Sequence, residues 1–106
     1  MYSIGLGLKL KPGAYEGYKK AHDECWPELL ELQRAHGVSM IIFRWDDRLI
    51  VHATAPSETA WLNTHAGPLV DKWNDFMTQY LETDEQGNIL FEDLEPAFRS
   101  GDFAEA

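Results

Sequence analysis

The chain has 106 residues, 44% of them hydrophobic, and nine Lys and Arg against eighteen Asp and Glu give a net charge of −9. That length suits one domain with a small core and a large exposed surface, so pairing with a second copy is expected. The acidic balance excludes a basic nucleic-acid groove and disfavours an anionic membrane surface.

No apolar run approaches the ~18–20 residues that cross a bilayer. The first residues alternate in polarity and lack the layout of a signal peptide. Cys25 is the single cysteine, so no internal disulfide is expected. A cytoplasmic location is the expectation.

In chain order, Tyr2, Ile4, Leu6, Leu8 and Leu10 alternate with Ser3, Gly5, Gly7 and Lys9, which predicts a strand with one buried face. The two glycines make the other face shallow, open to close approach. Lys11-Pro12-Gly13 is a turn. Helical spacing follows over residues 14–35, with Ala14, Tyr18, Ala21, Cys25, Leu29 and Leu32 as the apolar stripe. Pro27 removes a backbone donor and predicts a kink or short break, with a second helical piece over 28–35 and Gly37 as its stop. Residues 38–45 and 49–55 read as a hairpin around Asp46-Asp47-Arg48. Ser57 is a helix cap, Trp61 anchors a helical turn, and residues 69–81 form the second long helix. Residues 95–99 are the expected last strand, and the tail 100–106 has no predicted structure. The order β-α-β-β-α-β predicts an α+β, ferredoxin-like fold, an antiparallel sheet with helices on one face. A second copy is the cheapest cover for the other face, which would make a dimeric α/β barrel.

The chemistry concentrates in Tyr18-x-x-x-His22-x-x-x-Trp26, a phenol, an imidazole and an indole at four-residue intervals just before Pro27. Residues four apart share a helix side. An imidazole exchanges protons near neutral pH, and a phenol one turn away can donate or accept. The same residues also suit plain helix–sheet packing, and spacing alone leaves both readings open. Trp73, on the second long helix, either anchors the core or offers a flat face to a sugar ring. His22-x-x-Cys25 is a two-ligand fragment with no second pair at zinc-like spacing, so no metal is expected. No phosphate loop or nucleophile elbow is present.

Tyr18-x-x-x-His22-x-x-x-Trp26-Pro27-Glu28-Leu29, close behind the first strand and the Pro12-Gly13 turn, resembles the L-rhamnose mutarotase family. Trp61 and Lys72-Trp73 followed by Phe76-Met77 resemble that family's Trp-rich helix, and the likeness spans residues 2–99. The resemblance implies a dimeric barrel and a cofactor-free enzyme that interconverts the α and β anomers of a 6-deoxy aldose. It makes His22 the general acid, with Tyr18 and Trp73 lining the sugar site and Trp26 beside them. Two positions depart from the pattern. Asn74 stands where the family has a second Trp, and the region of Met40 lacks a Tyr usual on the second strand. The hairpin is also shorter. Both residues are expected near the sugar, which makes L-fucose a competitor of L-rhamnose. The other uses of such a barrel are a cofactor-free oxygenase or haem-handling enzyme, or a binding module without turnover.

Overall fold

The computed structural model describes residues 1–104. Strand β1 (Tyr2–Lys9) runs antiparallel to β3 (Arg48–Ala55), which pairs antiparallel with β2 (Ser39–Trp45). A short β4 (Glu92–Asp93) closes the sheet in the order β2-β3-β1-β4. The helices are α1 (Tyr15–Asp23), α2 (Pro27–Ala35), α3 (Glu58–Asn63) and α4 (Pro68–Met77). This is the ferredoxin-like α+β arrangement.

Register decides which side chains meet. Leu8 lies opposite Leu49, Leu6 opposite Val51 and Ile4 opposite Ala53, while Met40 and Ile42 lie opposite Ala53 and Val51. Opposite residues in an antiparallel pair share a face, so all of these point to one side. Tyr18 and Ala21 of α1 pack onto Leu8, Leu49 and Val51, and Trp61 of α3 packs onto Val38, Ala53 and Ala55. The helices therefore cover this face. Leu49 is 1% exposed, so truncating it to Ala would cost about 2–5 kcal/mol.

The other face carries Ser3, Gly5, Gly7, Ile50, His52 and Thr54 down its centre and Ile41, Phe43 and Trp45 along β2. Its shallow centre is used as the alternation predicts. A Cβ added at Gly5 or Gly7 would sit 3.4 Å from Leu94, whose N–H donates to the Gly5 carbonyl at 3.0 Å.

The expected break at Pro27 is real but begins earlier. The α1 helix stops at Asp23, and Pro27 is the first residue of α2. Trp26 caps α2 with ψ 127°, the extended geometry imposed on a residue before proline. Trp26 is thus no longer in helical register with Tyr18 and His22.

Two other boundaries move. The second long helix ends at Met77 rather than 81, because residues 78–81 turn back to the first strand: Lys11 N–H donates to the Tyr80 carbonyl and Leu10 bridges Leu81. The last strand is Glu92–Asp93, opposite Gly7 and Leu6, and residues 95–99 are not in the sheet. Pro96 has no N–H to give a ladder, and Phe98 stands 83% exposed. Within the tail, Gly101–Phe103 forms a single 3-10 turn, and residues 105–106 lie outside the described residues.

Candidate active site

Tyr18 and His22 face the same way on α1, their rings 4.2 Å apart and tilted by 34°. His22 Nδ1 lies 3.0 Å from the Tyr18 carbonyl oxygen. A carbonyl can only accept, so Nδ1 carries the hydrogen and, in the neutral ring, Nε2 keeps the free lone pair. Burial lowers the His22 pKa below its ordinary value, outweighing the Tyr18 carbonyl and the Asp23 charge, which raise it. Burial pushes the Tyr18 phenol well above its ordinary range, so it stays protonated and can donate.

The α4 helix brings Trp73 edge-on to His22, with ring centroids 5.2 Å apart at 80°. Trp26 stands behind it, edge-on to Trp73 at 5.1 Å and stacked on Phe76 at 5.9 Å. The sequence pattern had placed Trp26 beside His22. The break before Pro27 instead makes it a brace for Trp73.

A cavity of about 280 Å³ opens between the helices and the sheet. Met40, Ile42, Leu6 and Val51 form its floor; His22, Cys25 and Gln33 one wall; Trp61, Thr64, His65, Trp73 and Asn74 the other. Pockets for drug-sized ligands start at ~300 Å³, so a monosaccharide-sized molecule is the fitting guest. Of the residues singled out in the sequence, His22, Trp73, Met40 and Asn74 line this cavity together, whereas Tyr18 and Trp26 do not. Tyr18 lines a neighbouring hollow of about 190 Å³ that shares His22 and Ile42 with the first. The imidazole of His22 stands at the junction of the two.

The sequence pattern names no site role for His65, Thr64 or Gln33, and it reads Trp61 as a helix anchor rather than a cavity residue. Trp61 is buried, yet it also lines the cavity. A signal for His65 was available: Trp61-x-x-x-His65 repeats the aromatic-then-imidazole spacing of Tyr18-x-x-x-His22. Cys25 also borders the cavity, and burial raises its thiol pKa, which opposes a nucleophilic thiolate. Among the described residues no cluster of three or more His, Cys, Asp or Glu is placed to hold a metal ion. A larger hollow of about 650 Å³ lies on the opposite sheet face, where His52 Nε2 lies 3.2 Å from Ser3 Oγ.

Fold and cavity together define a small α+β protein with an imidazole and an indole set around a monosaccharide-sized space, an arrangement suited to moving protons on a polar ring. The family model described as L-rhamnose mutarotase matches residues 3–99. An L-rhamnose mutarotase of Shouchella clausii is 27% identical over 94 residues, covering 86% of this chain and 90% of the relative. One from Burkholderia orbicola is 30% identical over 101 residues, covering 92% and 97%. The crystal structure of an L-rhamnose mutarotase from Formosa agariphila superposes with a TM-score of 0.80 at 27% identity, covering 95% of this chain and all of that one. The chain belongs to the L-rhamnose mutarotase family, a family of isomerases.

Proposed function

We propose that the protein interconverts the α and β anomers of a 6-deoxy aldose, L-rhamnose or L-fucose, in the cavity between helices and sheet. The observation that carries this reading is the tether of His22 to the Tyr18 carbonyl, which leaves Nε2 with a free lone pair on a ring that lines a monosaccharide-sized space beside Trp73.

Ring opening takes a proton from the anomeric hydroxyl and delivers one to the ring oxygen. Rotation about the bond from C1 to C2 and reclosure on the other face give the second anomer. An imidazole kept neutral by burial is a base for the first transfer and, once protonated, an acid for the return. Trp73 stacks on the C–H face of the sugar. Tyr18 acts from behind, its carbonyl orienting the imidazole and its protonated hydroxyl available as a donor. The chemistry asks for no cofactor.

L-Rhamnose and L-fucose differ in the C2 and C4 hydroxyls. Met40 and Asn74, the two departures from the family pattern, both line the cavity, and an amide in place of a ring changes which hydroxyls are matched. That supports L-fucose as a second substrate reading beside L-rhamnose. The oxygenase and haem-handling uses of such a barrel are not favoured, since the family and its named relatives are mutarotases.

The exposed row Ile41 (49%), Phe43 (54%) and Trp45 (70%) supports a homodimer joined through the open sheet face. The enzyme would act on free sugar in the cytoplasm. Anomeric exchange measured by NMR with a panel of 6-deoxy sugars tests the activity. If none exchanges faster with the protein than in buffer, the assignment fails.

A further inference from the structure

We propose that His65 is a second catalytic imidazole of this site, paired with His22 across the sugar so that the two hand one proton between the anomeric hydroxyl and the ring oxygen. The inference rests on the mutarotase reading and goes beyond it.

His65 follows Thr64, the residue that ends α3. Its Nδ1 lies 3.0 Å from the Trp61 carbonyl oxygen and 2.9 Å from Thr64 Oγ1. The one hydroxyl hydrogen of Thr64 is donated to that same Trp61 carbonyl at 2.7 Å. Thr64 Oγ1 can therefore meet Nδ1 only as an acceptor. Both partners of Nδ1 accept, so Nδ1 carries the hydrogen and Nε2 keeps the lone pair in the neutral ring. This is the state of His22, reached through the same four-residue tether. The His65 ring lies against Trp61 with centroids 3.7 Å apart and planes tilted by 30°, which restricts its orientation. Both imidazoles line the one cavity of about 280 Å³.

The reaction supplies the reason for two. Opening the ring removes a proton at one oxygen and adds a proton at another, and a single imidazole must reach both oxygens in turn. Tyr18 is a poor partner, since burial holds its phenol protonated and it borders the neighbouring hollow. Cys25 is the remaining ionisable side chain lining the cavity, and burial keeps its thiol protonated too. With one proton shared by two imidazoles the step balances. The neutral ring takes the proton of the anomeric hydroxyl, the C1–O1 link becomes a carbonyl, the C1–O5 bond breaks with its electron pair on O5, and the imidazolium protonates O5. Reclosure reverses the two roles, and the pair ends with the proton count it began with.

The test compares anomeric exchange for the native protein, His65→Gln and His22→Gln, over a range of pH. The pair must be singly protonated, so the native profile is bell-shaped, with Asp23 as the charge acting on His22. His65→Gln is expected to lower kcat about 100-fold with KM nearly unchanged and to leave a one-sided profile. Native-like kcat with the native bell would overturn the proposal. In case the variant fails to fold, the native protein gives a second reading from its imidazole nitrogen resonances. Saturating sugar should move those of His22 and His65 and leave those of His36 and His52 in place. An unmoved His65 overturns the proposal. A native protein that speeds no exchange overturns the mutarotase reading and this inference with it, whereas a fully active His65→Gln overturns the inference alone.

Discussion

The two faces of the sheet are built from adjacent residues of the same strands, yet they differ in what surrounds an imidazole. On the helix side, His22 and His65 are each tethered by Nδ1 to a carbonyl four residues back and set around a cavity, with burial lowering both pKa values. On the open side, His52 pairs with a serine hydroxyl beside Phe103, next to exposed Ile41, Phe43 and Trp45. The tether alone does not make a site, because His36 has the same bond to Leu32 and does not line the cavity. What sets the helix face apart is a pair of tethered imidazoles lining one space of sugar size. One face carries the candidate site and the other an exposed apolar row.

The largest expected effect breaks the helix face. His22→Ala should slow anomeric exchange by about 100- to 1,000-fold while leaving circular dichroism unchanged, since His22 is a partly buried edge residue and not part of the core. A variant with native exchange would remove His22 from the mechanism. Next comes the open face. Phe43→Glu combined with Trp45→Glu should weaken self-association by about 100-fold and give a monomer in sedimentation equilibrium, with the fold retained. An unchanged mass would place the contact elsewhere.

Trp73→Ala should raise KM about tenfold through the lost stacking surface, and cost about 1–3 kcal/mol of stability because Trp73 also supports His22 and Trp26. A loss of stability with unchanged KM would make it a brace only. A finer change is expected from Asn74→Trp with Met40→Tyr. The family resemblance leads one to expect a Trp at the first position and a Tyr near the second, and the pair should shift the ratio of kcat/KM between L-rhamnose and L-fucose by about tenfold toward L-rhamnose. An unmoved ratio would show that other residues read the sugar.

The smallest effect is on stability against pH. The unfolded chain titrates its histidines near pH ~6.5. Folded His22 and His65 bind a proton less readily, because burial penalises the charged ring. Their contribution to stability is therefore complete above about pH 6.5 and is lost as the pH falls through their lowered folded values. Urea midpoints measured between pH 7 and 5 should fall, and the fall should shrink in the double variant His22→Gln, His65→Gln.

Much of this architecture was legible in the chain. The burial of Leu8 and Leu10 in the first strand, and of Tyr18, Ala21 and Leu29 on the helical stripe, matches the apolar faces read from the chain. The Ser57 cap is present, its Oγ accepting the Ala60 N–H at 3.1 Å. The misreadings have two causes, contacts between distant residues and the action of a proline on its neighbour. The last strand lies at Glu92–Asp93 because Leu94 seats over Gly5 and Gly7, a contact between residues nearly ninety positions apart. The second long helix ends at Met77 because its following turn is needed by Lys11. Trp26 left the helix because proline acts on the residue before it.

The same division holds for the site. Covalent spacing along a helix places an imidazole within reach of the carbonyl four residues earlier, so the orientation of His22 on Tyr18, and of His65 on Trp61, follows from local chain geometry. Such bonds form from neighbours in sequence and are readable there. Which imidazoles share a cavity depends on how α1 and α3 dock on the sheet, a balance of burial and register among distant residues. That docking joins His22 to His65, Trp73, Met40 and Asn74, turns Trp26 into the support of Trp73, and leaves His36 outside.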